Sequence, residues 1–247
     1  RTISAVVPGA SELPGMERSK PQLSDLYEYR ILDGNVGYLK AGTFHPDHGD
    51  AFLEFTTTAF TAFHDAGIKS LIIDIRDNPG GDDPLWQKGI MENITETPYR
   101  HVSRYSIRVT KGNAHTGDVI GEVQTGDYKG LFRATPDNSI RFHGPTYILL
   151  SAFTYSSAIQ FSVAAQDFDI AKIAGVETGG FSCSTGGVTI IPMEKTQLTA
   201  FVPVMQLTRP SGKGCERGII PDVPIKSTPF QPDQSIESLR LIAVETQ

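Results

Sequence analysis

Ser70-Leu71-Ile72-Ile73-Asp74-Ile75 is a short apolar run that leaves through Arg76-Asp77-Asn78-Pro79-Gly80-Gly81. A run of this length bounded by turn residues reads as a strand buried on both faces, because neither face needs to carry polar side chains to water. It is entered from a helical pattern: from about Asp47 onward, Phe52, Phe55, Ala59 and Phe63 share one face, and Gly67 ends it. A second helix is expected around Leu85 to Glu96, beyond the glycine pair. With Val36–Phe44 as a preceding strand, the order is β-α-β-α, the signature of a parallel sheet with helices packed on it.

The same grammar continues outward. Pro145-Thr146-Tyr147-Ile148-Leu149-Leu150 is another buried-strand pattern, followed by a helix from about Tyr155 to Gln166, a strand at Ile170–Gly175, and alternating strands near 187–192 and 198–205. The class is α/β. The stretch 110–140 is polar and Gly-rich and is expected to be a long loop or small excursion. Residues 1–34 are expected to hold the end of a preceding segment, with Arg1–Val7 a strand already under way, and a Pro/Gly-rich linker containing Pro8-Gly9, Pro14-Gly15 and Pro21. A core at 35–228 and a C-terminal tail or helix at 229–247 complete the expected organisation. Without an initiator Met or an apolar signal core, the chain is expected to be a fragment of a longer polypeptide.

Composition narrows the function. Hydrophobic residues make up 39% and charged residues 20%, and no run approaches the roughly 20 apolar residues of a membrane helix. The net charge of −6 is spread along the chain with no basic cluster, which argues against nucleic acid as a partner. His45-Pro46-Asp47-His48 offers two ligands on one short turn with no further Cys or carboxylate cluster, so no metal and no cofactor is expected.

Three segments carry chemistry. Gly80-Gly81 sits at the exit of the buried strand, where backbone N–H groups approach a ligand unhindered by a Cβ, as an oxyanion hole requires; the plain alternative is a Pro-Gly turn. Ser151-Ala152-Phe153-Thr154-Tyr155-Ser156-Ser157-Ala158 runs from strand into helix, placing Ser156 at the helix N-terminus, where free N–H groups favour developing negative charge; the plain alternative is an N-cap. Gly175-Val176-Glu177-Thr178-Gly179-Gly180 and Gly214-Cys215-Glu216-Arg217-Gly218-Ile219-Ile220-Pro221-Asp222 are two glycine-framed loops.

In order and spacing, over roughly residues 34 to 226, these segments resemble the core of the C-terminal processing (tail-specific) protease family of serine peptidases. The resemblance implies the α/β spiral shared with Clp-type proteases and crotonases. It also implies Ser156 as nucleophile and an oxyanion hole from the N–H groups of Gly80 and Ser157, with Gly81 the lesser donor. Thr154, Tyr155, Thr178, Gly179 and Gly180 then line the substrate site. A Ser–Lys dyad needs a lysine near Phe181, and none is there. In the tricorn-like branch a carboxylate orients a histidine, and Glu216 fits that place; the plain alternative is a surface pair with Arg217 or Arg209.

The histidine of that branch lies ahead of the core, and none of His45, His48, His64, His101, His115 and His143 matches it. His45 and His48 are the only local substitutes, although they also read as solvated loop residues. A missing N-terminal segment is therefore expected to supply the imidazole, and the isolated fragment to be nearly inactive. The resemblance implies polypeptide substrates or C-terminal tails and an extracytoplasmic setting (periplasm, envelope or secreted). It brings Cys183 and Cys215 toward one site, as a disulfide or as two buried thiols. The alternatives are a non-catalytic peptide- or ligand-binding module on the same fold and crotonase-like acyl-CoA chemistry, for which no nucleotide-binding loop is present.

Overall fold

The computed structural model describes residues 22–226 and 232–247. Its centre is the expected strand β3 (Ser70–Asp74), flanked in parallel by β2 (Val36–Ala41) and β6 (Thr146–Leu150), with β7 (Lys172–Gly175) and β10 (Val223–Pro224) continuing the parallel set. An antiparallel strand, β1 (Tyr27–Leu32), entered from the one-turn helix α1 (Leu23–Leu26), closes the other edge and gives the order β1-β2-β3-β6-β7-β10.

Every residue of β3 and β6 is buried because both sheet faces are covered. On one face pack helices α2 (Gly49–Ala66), α3 (Asp83–Gly89) and α4 (Ser157–Asp167), joining Phe52, Phe60, Phe63, Trp86 and Phe161 to Leu71 and Ile73. On the other, α5 (Pro232–Glu245) sets Ile236, Leu239 and Ala243 against Val36, Ile72 and Leu149. The expected C-terminal helix is thus the cover of a whole sheet face. Asp74, buried within this interior, is held by the Tyr38 hydroxyl at 2.8 Å and by Arg76 at 2.6 Å, which is what makes a buried carboxylate tolerable.

Several expectations change. The packed fold starts at Tyr27, inside the stretch read as linker: Tyr27 is buried and stacks on Phe55 with ring centroids 5.4 Å apart. The expected strand at Arg1–Val7 lies outside the described residues. The stretch 110–140 is partly strand: within it β5 (Val123–Asp127) pairs with β4 (Arg104–Arg108), and β4 pairs in turn with β9 (Leu198–Thr208) and β9 with β8 (Thr185–Met193), in a second, antiparallel sheet ordered β5-β4-β9-β8. Arg209, just past β9, ties that sheet to the end of α4 through a nearly buried ion pair with Asp167. The helix expected to run to Glu96 stops at Gly89 and gives way to a 3-10 turn at Met91–Asn93.

Candidate active site

The carboxyl ends of β3 and β6 release the two turns that build the site, and hydrogen bonds stitch these turns together. Thr154 Oγ1 donates to the Ile75 carbonyl at 3.0 Å, Ser151 Oγ donates to the Arg76 carbonyl at 2.6 Å, and Tyr155 N–H donates to the Asn78 carbonyl at 3.0 Å. The knot is Asn78, fully buried: its amide nitrogen donates to the Ala41 carbonyl at 2.9 Å and its Oδ1 accepts the Gly80 N–H at 2.8 Å.

Ser156 stands at the N-cap position of α4 with φ 51° and ψ −121°, a conformation an L-residue adopts only when its surroundings force it. Its hydroxyl makes no capping bond, and among the described residues no hydrogen bond engages it. The residue is exposed, whereas Ser157 beside it is buried. The capping alternative therefore fails on geometry.

Gly80 (φ 106°) lies directly against this serine: a Cβ there would stand 2.7 Å from Ser156 Cβ and 2.9 Å from Ser157 N. Gly81 bridges Phe44 in parallel register, with Phe44 donating to the Gly80 carbonyl and Asp82 donating to the Phe44 carbonyl. In such a bridge the residue opposite turns its own N–H away from its partner, and among the described residues the Gly81 N–H meets no protein acceptor. The Gly80 N–H is committed to Asn78. The sequence expectation put Gly80 ahead of Gly81 as amide donor; of the two, the Gly80 N–H is the one already engaged within the protein. Ser157, first residue of α4, carries an N–H that the helix itself cannot satisfy.

Tyr155, Ser156, Ile159, Gly180, Phe181, Cys183, Ser184 and Thr185 line a pocket of about 110 Å³. Phe153, Tyr155 and Phe181 are 74%, 45% and 61% exposed, and Tyr155 and Phe181 form an aromatic rim to the pocket that Ser156 lines. Gly180 keeps the pocket open, since a Cβ would meet Ile159 and Tyr155 at about 3 Å. Gly179 packs on the Ala152 carbonyl.

Thr154 and Thr178, expected to meet substrate, are buried with their hydroxyls spent inside the fold. Thr154 bonds Ile75 and Ser151, while Thr178 donates to the Gly180 carbonyl and accepts from the Ile219 N–H. They shape the loops.

Glu216 is exposed and lines a separate pocket of about 430 Å³ with Arg209, Lys213 and Arg217. Among the described residues it has no ion pair: Arg217 pairs with Glu177 and Arg209 with Asp167, so the surface-pair alternative does not describe it. Arg217 and Gly218 N–H together hold the Glu177 carboxyl below the usual range. The two pockets are joined by a disulfide between Cys183 and Cys215, reinforced by Ser182 Oγ donating to the Gly214 carbonyl. With its ends 32 positions apart in the sequence, this crosslink restricts the unfolded chain by about 3.7 kcal/mol. The double variant Cys183→Ser/Cys215→Ser is expected to lose about that much in urea unfolding; a loss under about 1 kcal/mol would mean the loops are held by their hydrogen bonds alone.

The expected reserve histidines sit in an exposed corner: His45 Nδ1 is 3.6 Å from Asp47 Oδ2, and the His45 and His48 rings are 6.2 Å apart. Among the described residues no group of His, Cys, Asp and Glu is arranged to hold a metal ion, and no helix is long and apolar enough to cross a membrane.

Residues 35–225 match the sequence description of peptidase family S41. The chain belongs to peptidase family S41. Its fold is shared with a candidate peptidase of Parabacteroides merdae (21% identity, TM-score 0.64, covering 88% of this chain and 64% of that one). It is shared also with mature CPAF (17%, TM-score 0.62, 89% and 53%) and the photosystem II D1 C-terminal processing protease (22%, TM-score 0.51, 80% and 45%). The S41 chain thus spans roughly half to two thirds of these structures. A comparison with curated proteins found no match.

Sequence reasoning passed over Asn78, Asp83, Trp86 and His101, all within or beneath this S41 site. Only Asn78 carried a local signal, a short amide two residues before the glycine pair.

Proposed function

We propose that this S41 chain carries the nucleophile of a serine endopeptidase working through an acyl-enzyme. The observation that carries this is Ser156: exposed, at positive φ, on a helix N-terminus, with a hydroxyl left out of capping.

Ser156 Oγ attacks the scissile carbonyl as its proton passes to an imidazole. The N–H groups of Gly81 and Ser157 hold the oxyanion. The C–N bond breaks, the proton goes to the leaving amine, and water then hydrolyses the ester by the same exchange in reverse. The imidazole comes from a segment outside these 247 residues and is steadied by Glu216. The unpaired carboxylate of Glu216 supports this, as does the lack, among the described residues, of a histidine bonded to Ser156. The 247 residues alone are then nearly inactive.

The exposed aromatic rim favours extended polypeptides or C-terminal tails with an apolar residue at the cut. A disulfide at the site suits an oxidising, extracytoplasmic compartment.

The test is a fluorophosphonate probe on the full-length protein, with the modified peptide mapped. Label on Ser156 is expected, since only an activated serine reacts. No label would favour a peptide-binding module on this fold, and label on another serine would move the nucleophile.

A further inference from the structure

The buried neighbour of the nucleophile is tied into a network that catalysis as described above does not use. Ser157 Oγ donates to Asp83 Oδ1 at 2.5 Å and accepts from Trp86 Nε1 at 2.9 Å, and the same indole N–H reaches Asp83 Oδ1 at 3.2 Å. The other carboxylate oxygen, Oδ2, lies 3.1 Å from His101 Nε2. His101 is walled in by aromatic rings: stacked on Phe132 at 5.4 Å and edge-on to Trp86 at 5.6 Å. Its Nδ1 is buried and, among the described residues, has no hydrogen-bond partner. A half-buried charge with one orphaned nitrogen beside it is a costly arrangement for packing alone.

The position of Asp83 in the chain says what the arrangement does. The two amides proposed to hold the oxyanion come from separate pieces: Gly81 from the turn after β3, and Ser157 from the start of α4. Asp83 follows Gly81 by two residues, opens α3, and takes the Ser157 hydroxyl across a separation of 74 residues. The carboxylate therefore links one amide to the other, and His101 fixes the direction in which it points. Burial pushes the Asp83 carboxyl up, but the hydrogen bond and charge of His101, with the Ser157 and Trp86 bonds, outweigh it and leave its pKa below the ordinary value.

We infer that Asp83 and His101 are positioning residues that set the spacing of the oxyanion-binding amides of Gly81 and Ser157. Neither touches substrate, and the inference rests on the Ser156 reading. Amide donors misplaced by a fraction of an ångström lose much of their hold on a developing charge, so the pair acts on the chemical step rather than on substrate binding.

The experiment uses full-length protein and three variants. His101→Leu removes the N–H to Asp83, His101→Gln keeps one at a similar reach, and Ser157→Ala removes the other end of the link with little change in volume. Fluorophosphonate labelling rate and peptide kcat are expected to fall roughly 10- to 100-fold in His101→Leu and Ser157→Ala with KM within about threefold, and to recover to within about threefold of the parent in His101→Gln. Trp86 is the single tryptophan of these 247 residues, and its indole N–H resonance, assigned in the full-length protein by its loss in Trp86→Phe, reports the network directly. It should move in His101→Leu and return in His101→Gln.

Parent labelling with an unchanged rate in His101→Leu, an equal loss in Leu and Gln, or a loss in KM alone overturns the inference. If His101→Leu does not fold, Ser157→Ala and His101→Gln decide it by the same rates. A parent that is not labelled at Ser156 brings down the catalytic reading first, and this inference with it.

Discussion

Ser156→Ala in the full-length protein is expected to lower peptide cleavage by at least about 10⁴-fold, the scale on which a nucleophile's loss is felt when the remaining site is intact. Stability should barely change. Truncating a capping serine ordinarily costs about 1 kcal/mol, but the Ser156 hydroxyl bonds nothing at the helix start, so the loss should stay within about 0.5 kcal/mol. Replacement by glycine tests the other half of the claim. At φ 51° with ψ −121° an L-residue is strained, and Ser156→Gly should be stabler than Ser156→Ala by about 1 kcal/mol. Cleavage assays and urea unfolding on the three proteins settle both. Retained cleavage by the alanine variant would remove Ser156 from the mechanism, and a capping-sized loss of stability would show that the serine is an ordinary helix start.

Gly81→Ala is expected to cost about 4 kcal/mol or more and to abolish labelling of Ser156. The methyl group would arrive 1.9 Å from the Phe44 carbonyl oxygen, on backbone that cannot step aside like a side-chain tip, and φ is 137°, where an added Cβ is strained whatever the space. Relief requires the Phe44–Gly81 bridge to open, which moves the Gly81 amide off the site. The matched control is Gly67→Ala at the end of α2: its φ of 61° is also left-handed, but nothing stands within 4 Å of the added carbon, so only the conformational cost of about 1–2 kcal/mol remains. Equal losses at the two positions would mean that the close approach at Gly81 carries no weight.

The parallel heart of the fold was legible because burial on both faces leaves a mark in the sequence itself: Leu71-Ile72-Ile73 and Ile148-Leu149-Leu150 have no polar interruption. β1 was missed because four of its six residues face water and only Tyr27 is anchored in the core. β4 and β5 were missed for a related reason. Val123-Gln124-Thr125-Gly126-Asp127 has no buried residue, and β4 finds its other partner, β9, about a hundred residues on.

The serine and the glycine pair could be singled out because strand-to-helix turns have local spelling. Whether a hydroxyl in such a turn points outward does not: Thr154 and Thr178 are of the right chemical type and close to the site, yet both face inward. The Asp83–His101 pair was invisible for a further reason. Asp83 and Ser157 are brought together by packing of α3 against α4, His101 reaches Asp83 from the segment before β4, and neither member of the pair stands at a spacing that means anything before these pieces are in place.

The sulfur–sulfur link between Cys183 and Cys215 closes the β8–β9 hairpin into a ring of covalent chain. A nick at the hairpin's tip, where Glu194-Lys195-Thr196-Gln197 lies open to water, therefore severs no route between its two feet. One foot forms a wall of the serine's pocket and the other carries Glu216, so trimming by a neighbouring protease would leave both anchored until a reductant arrived.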